Sequence, residues 1–326
     1  MRKIIVSVLL ALMCFTLSAS FSAQESDYIF YRENDYHKDY DYLLASLSSS
    51  TDADEKAEIL WRLSRTKLTI VDEEKDGMTK EEQLAGYGDY GAKDRPDDGD
   101  TSSAFYYAYA SIQLKETPNA YHWLSSAVGR CGQVHGALNS LSKAGGMRDL
   151  EIKALENFSS FDLETDSWYV LSILYKSLPG SPISFGNNNY AISYMRKCIA
   201  TMDMTNRTNG TNYLELAEQL YDRDWSKSKR EKEFKSMLKS YNKAQDKKSG
   251  NAEINKYYES YASTQEAPFY VSASLTEMSD RQEALSLLEY AKLLINARLP
   301  YARSDLNREK MENELLKIEN KIAEWK

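Results

Sequence analysis

The sequence predicts an all-α chain built as an array of paired helices behind an export leader. From Tyr42 onward apolar residues recur three and four positions apart almost everywhere, and only six prolines interrupt the pattern, which leaves no room for a sheet. Small residues also return at fixed offsets from bulky ones, as close helix crossings require. A hydrophobic fraction of 42% is enough for a real core, while 28% charged residues and a mean hydropathy of -0.60 describe much solvated surface. A thin, elongated body is the expected consequence.

Met1, Arg2 and Lys3 precede an apolar run from Ile4 to Leu17 and then Ser18, Ala19, Ser20, Ser22 and Ala23. This is the pattern of a secretory signal peptide over 1–23, with cleavage expected after Ser22 or Ala23. The run of about 14 residues is shorter than the roughly 20 needed for a permanent span. No later segment is apolar enough, so the mature chain is expected to be periplasmic or secreted, with no transmembrane segment. Cys14 follows Met13 rather than a small residue, which argues against lipoprotein anchoring.

Residues 24–42, dense in Tyr and Asp without an apolar period, read as an extended N-terminal arm. The helical array is expected over 43–300, with breaks at Arg95 to Gly99, Thr117 and Pro118, Gly145 and Gly146, Leu178 to Gly186, Thr205 to Gly210, Gly250, Pro268 and Pro300. These delimit roughly a dozen helices of ordinary length. Residues 301–326 complete the stack as a capping helix, from Asp305 to Trp325, with one apolar stripe.

Within the array a large residue, a Leu three on, a small residue and a further large residue recur. Trp168, Leu171, Ser172 and Tyr175 carry that spacing. So do Tyr121, Leu124, Ser125 and Val128; Tyr213, Leu216, Ala217 and Leu220; and more loosely Leu60, Leu63, Ser64 and Lys67. Following helices offer small, bulky and small residues at Ala191, Met195 and Cys198, and again at Ala284, Leu288 and Ala291. Together these resemble the helix A and helix B patterns of tetratricopeptide repeats. That likeness implies a TPR-like helix-pair solenoid, an α-α superhelix with a concave face. The repeat starts are irregular and wider than the usual ~34 residues, so long loops or extra helices are expected between units. A further unit is expected from Pro268 to Ala297.

Two stretches carry a narrower likeness. Ala120 to Gly136, AYHWLSSAVGRCGQVHG, with Leu138 to Leu141 and Ile152 to Leu155, resembles a signature of regulator-of-microtubule-dynamics-like proteins and of periplasmic TRAP transporter T-components. Leu174 to Ala191 is similar to the helix A to helix B linker of those families, through Leu178, Pro179, Gly180 and Gly186. The likeness covers about half of the chain, from Lys56 to Tyr221. It departs at Gly86, Gly88 and Gly91, which would fall inside the first helix B, and in the C-terminal half. It implies work through protein contacts, with a periplasmic solute-binding protein as one partner and a cleft suited to a hydrophobic small molecule as an alternative role.

The formal net charge of -8 becomes -10 once Arg2 and Lys3 leave with the leader, and no unbalanced basic cluster remains. Nucleic acid is therefore not an expected partner, since phosphate binding needs a basic footprint. His37, His122 and His135 are too few and too scattered for a zinc site, and no nucleophile elbow, phosphate loop or HExxH appears. No cofactor, metal or enzymatic activity is expected. The acidic run Asp94, Asp97, Asp98 and Asp100 lacks the alternation and distal Glu of a calcium loop.

Cys131 and Cys198 could pair in an oxidising compartment, yet their half-apolar helical contexts favour buried free thiols. The excess of tyrosine, 24 of 326 residues, stands out more, because tyrosine offers rigid contact area with a polar tip. Tyr106, Tyr107, Tyr109, Tyr121, Trp123, Trp168, Tyr257, Tyr258 and Tyr261 are the candidates for a partner or ligand groove, against the plainer role of filling helix-pair positions.

Overall fold

A computed structural model of the chain describes residues 21–96, 99–158, 161–204, 209–245, 252–262, 267–302 and 305–326. Residues 1–20, which hold most of the expected leader over 1–23 and Cys14, lie outside the described residues, as do Asp97, Asp98, Asn206 and Gly250. Among the described residues all regular structure is helical, and no helix is long and apolar enough to cross a membrane. The chain divides into two compact units, 1–134 and 135–326.

The first unit begins with α1 (Ala23–Tyr28), which runs through a π turn (Ile29–Glu33) toward α2 (Tyr36–Ser49). The segment expected to be an extended arm is thus helical. Its polar residues hide the usual apolar period because they make buried contacts. Ser26 Oγ donates to Asp39 at 2.7 Å, Thr66 Oγ1 donates to the same carboxylate at 2.6 Å, and Arg65 donates to Asp27 at 2.8 Å. Arg65 lies 3.9 Å over the Phe30 ring and Arg62 lies 4.0 Å over Trp61. These arginines belong to α3 (Ala53–Glu74), whose first turn is capped by Asp52.

A capping box from Thr79 and Glu82 starts the short α4 (Lys80–Tyr87), which stops at Gly88. Gly88 has φ +95°, and a Cβ there would sit 2.6 Å from Phe105 Cβ, so the position requires glycine. Of the glycines expected inside the first helix B, Gly86 lies buried in the last turn of the short α4 against Val71, Gly88 caps that helix and Gly91 follows it. The true partner of α3 is α5 (Ala104–Leu114). Ser64 Oγ donates to Ala104 O at 2.7 Å and Ser111 Oγ donates to Ala57 O at 2.8 Å, so two small side chains clamp the pair. Next comes α6 (Pro118–His135).

The second unit holds α7 (Ala137–Asn157), α8 (Phe161–Ser177), α9 (Asn188–Met204) and α10 (Gly210–Arg223). They are followed by α11 (Lys227–Gln245), α12 (Ala252–Ala262), α13 (Asp280–Arg298) and α14 (Asp305–Trp325). The break expected at Gly145 and Gly146 does not occur. The chain turns instead at Gly136, with φ +96°, and α7 runs through both glycines because Ala144, Ile152 and Leu155 on its face are buried. Most neighbours in sequence pack together, α8 on α7 and α9, α10 on α9 and α14 on α13, while α10 also packs on the more distant α13. The α11–α12 pair is inserted between α10 and α13, with α12 against α9 and α7. Pro268 to Ser279, expected to open a helix pair, forms turns, and only α13 follows.

Ser172 is fully buried and its Oγ donates to Ala191 O at 2.8 Å, the same clamp that Ser64 makes in the first unit. Trp168, Leu171 and Tyr175 on α8 and Met195 and Cys198 on α9 fill the surrounding core. Between these helices the backbone closes on itself, with Gly186 N–H donating to Pro179 O at 3.0 Å and Asn187 N–H to Tyr175 O at 2.8 Å. A Cβ at Gly186 would lie 1.8 Å from Leu178 O, so no other residue fits. Cys131 and Cys198 are buried thiols not paired with each other, and burial pushes the Cys198 thiol well above its usual range.

The first turn of α13 anchors a buried ionic network that periodicity does not reveal. Asp280 accepts from Arg223 at 2.8 Å, from Arg230 at 2.5 Å and from Trp225 N at 2.8 Å. Glu283 takes a bidentate pair from Arg196 at 2.8 and 2.7 Å, a contact from Arg230 at 2.5 Å and the Tyr270 hydroxyl at 2.8 Å. Burial works to raise the Glu283 pKa, but the Arg196 and Arg230 charges outweigh it and hold the carboxyl down at about 2.

Two outcomes follow from this packing. Ser172→Leu overpacks the α8–α9 crossing and lowers stability by roughly 1–3 kcal/mol, read as a lower melting temperature; an unchanged melting temperature contradicts the close approach. Because the folded pKa of Glu283 is depressed from 4.5 to about 2, its stabilisation is complete above pH 4.5 and is lost as pH falls toward 2. Glu283→Gln leaves the buried arginines undercompensated, costs about 3–5 kcal/mol at pH 7 and flattens that acid limb in denaturant titrations.

Candidate functional site

The first unit contains an open cleft of about 690 Å³. One wall is α5, whose sequence AFYYAYASIQL is apolar on every side and so cannot bury all its faces against α3 alone. Tyr106, Tyr107, Tyr109, Ala110, Gln113 and Leu114 of α5 line the cleft. Opposite them stand Leu44 and Leu47 of α2 and Lys56 and Leu60 of α3, and the segment after α4 closes one end with Arg95, Pro96 and Thr101. Leu44 and Leu114 are exposed, at 37% and 45%. They add exposed apolar surface to the cleft wall.

The floor is fixed by Tyr107, only 3% exposed, which packs with Leu43, Ile59, Leu60 and Leu63. Its hydroxyl shares a 2.8 Å hydrogen bond with Tyr40, whose ring meets it edge-on at 6.3 Å. Burial, reinforced by the bond to Tyr40, pushes the Tyr107 hydroxyl far above the usual phenol range. Burial raises Tyr40 as well, against the opposing effect of the same bond. Both phenols therefore stay neutral, and the cleft floor carries no charge at ordinary pH.

The rim is different. Lys56 and Arg95 make no ion pair among the described residues, whereas nearby Lys115 is held by Asp54 at 2.6 Å. Asp94 and Asp100, from the acidic run, are used locally: Asp94 accepts from Gly91 N, and Asp100 accepts from Tyr90 and Ser102 N. They shape the turn that carries Arg95. The arrangement offers an apolar trough with two cations at its edge.

Of the aromatic residues singled out from sequence, Tyr106, Tyr107 and Tyr109 come together here. The others are placed elsewhere. Tyr121 is buried and Trp123 half-buried on α6, its ring edge-on to His122 at 5.1 Å. In the second unit Trp168 is core, and Tyr257 stacks on Tyr190 at 3.8 Å with its hydroxyl donating to Glu233. Tyr258 stacks on Tyr241, also at 3.8 Å, and the side chain of Tyr261 lies outside the described residues. Tyr121, Trp168 and Tyr257 are thus buried in packing between helices rather than lining a groove. Sequence reasoning missed Leu44, Leu47, Ala110 and Leu114, although the second apolar stripe on each of their helices was a usable sign.

Tyr107→Phe removes the hydroxyl and strands Tyr40, which lowers first-unit stability by about 0.5–1.5 kcal/mol in urea denaturation while leaving the trough apolar. No family model, curated protein or solved structure matches the chain, so the chemistry of the cleft rests on its own residues.

Proposed function

We propose that this chain is an exported, tetratricopeptide-like helix-pair scaffold that binds a partner protein rather than acting as an enzyme, and that the first-unit cleft is its contact site. The cleft carries the reading: exposed leucines and a rigid tyrosine floor are suited to receiving apolar anchor residues from a partner, and few such anchors supply most of an interface's affinity. Lys56 and Arg95 add a preference for a segment with an acidic group beside those anchors. The repeated serine-to-carbonyl clamp at Ser64 and Ser172 supports the helix-pair reading, since both are small residues where the tetratricopeptide-like spacing asks for one. A periplasmic partner such as a solute-binding protein is compatible with a leader over 1–23.

A second reading, a transport-associated accessory holding a hydrophobic small molecule, is favoured by one feature of the cleft. The cleft volume of about 690 Å³ falls within the ordinary range for small ligands. The open mouth and exposed leucines favour the protein partner.

Ala110→Trp decides between these outcomes, because Ala110 is half-buried in the trough and an indole there fills it. Wild-type chain immobilised against envelope extract is expected to retain a partner that the variant retains at least ten-fold less, with equal melting temperatures for the two. Equal retention removes the cleft from the interaction. A small-molecule adduct in native mass spectra of the wild type, absent from the variant, supports the second reading instead.

A further inference from the structure

Phe21 and Ser22 are parts of the folded first unit. The Ser22 N–H donates to Tyr42 Oη at 2.8 Å, and the Tyr42 hydroxyl donates back to Ser22 O at 3.3 Å. Ser22 Oγ accepts from Glu25 N at 3.2 Å as the N-cap of α1, and Ser22 O accepts from Ser26 N at 3.2 Å to open that helix. The Phe21 ring packs against the cluster of Leu43, Ile59, Leu60, Leu63 and Tyr107, with the Arg62 guanidinium 5.7 Å from its centre. Helix α1 is itself tied down, since Ser26 and Asp27 meet Asp39 and Arg65.

A cut after Ala23 discards the cap, both Tyr42 bonds and the Phe21 contact, and a cut after Ser22 discards the same set. The sequence offers another place. Ser18 and Ser20 put small residues at the third and first positions before the Ser20–Phe21 bond, which is the requirement of a leader-removing endopeptidase.

We propose that the Ser20–Phe21 bond is the processing site of this chain, so that the mature protein begins at Phe21 and keeps Ser22 as the cap of its first helix. An envelope endopeptidase hydrolyses the bond with one water, which leaves a carboxylate on Ser20 in the released leader and a new amino group on Phe21. The inference rests on the exported reading and deepens it.

The test has two arms. Full-length chain is expressed with its own leader in a bacterial host and recovered from the envelope fraction, and its first residue is read by N-terminal sequencing and intact mass. A start at Phe21 is expected. A start at Ala23 or Gln24 overturns the processing site while leaving export intact, and a chain retaining Met1 overturns both. In the second arm, leaderless chains beginning at Phe21 and at Gln24 are made in the cytosol, where export plays no part. The Gln24 chain is expected to melt several degrees lower; equal melting temperatures overturn the structural requirement for Phe21 and Ser22.

Discussion

Each unit depends on buried arginines that are held by carboxylates from other helices. In the first, Arg65 of α3 reaches Asp27 of α1 and Asp39 of α2, so one side chain joins three elements. In the second, Arg196 of α9, Arg223 of α10 and Arg230 of α11 converge on Asp280 and Glu283 at the start of α13. A buried ion pair adds little net stability compared with an apolar contact of equal volume, but removing one partner is costly. The consequence is specificity of arrangement: α13 has one register against α9, α10 and α11 in which every charge is answered. The inserted α11–α12 pair needs this device, because Lys227–Gln245 buries only Arg230, Met237 and Ala244 and has little apolar surface with which to find its place.

The helical class was legible because amphipathic spacing and the scarcity of proline act locally, along one helix at a time. The clamps at Ser64 and Ser172 were legible for the same reason, as small residues at a fixed offset from bulky ones. What stayed hidden depends on residues distant in sequence. The segment 24–42 looked like an extended arm because the partners of Ser26, Asp27 and Asp39 lie on α3, at Arg65 and Thr66. Gly145 and Gly146 looked like a stop, yet a helix with buried residues on either side tolerates two weak positions, while Gly136, with its positive φ, makes the actual turn.

The site was legible in part, and the division has a physical basis. Tyrosine density marked Tyr106, Tyr107 and Tyr109 on a helix too apolar to bury every face, and those three line the cleft. The same density marked Trp168 and Tyr257, where a neighbouring helix supplies the missing cover and the aromatic surface is consumed as core. Composition alone does not separate the two cases. Only the presence or absence of a covering helix does, and that is decided by connectivity.

Connectivity also explains why the cleft lies in the first unit. In a plain helix pair a short turn would lead from α3 directly to α5. Here α4 intervenes and ends at Gly88, which lies close against Phe105. Beyond it, Arg95, Pro96 and Thr101 line the trough. Asp94 and Asp100 of the acidic run make local hydrogen bonds on either side of Arg95 and Pro96. The insertion of α4 between α3 and α5, ended by Gly88, is therefore what leads to the segment that supplies Arg95 at the cleft.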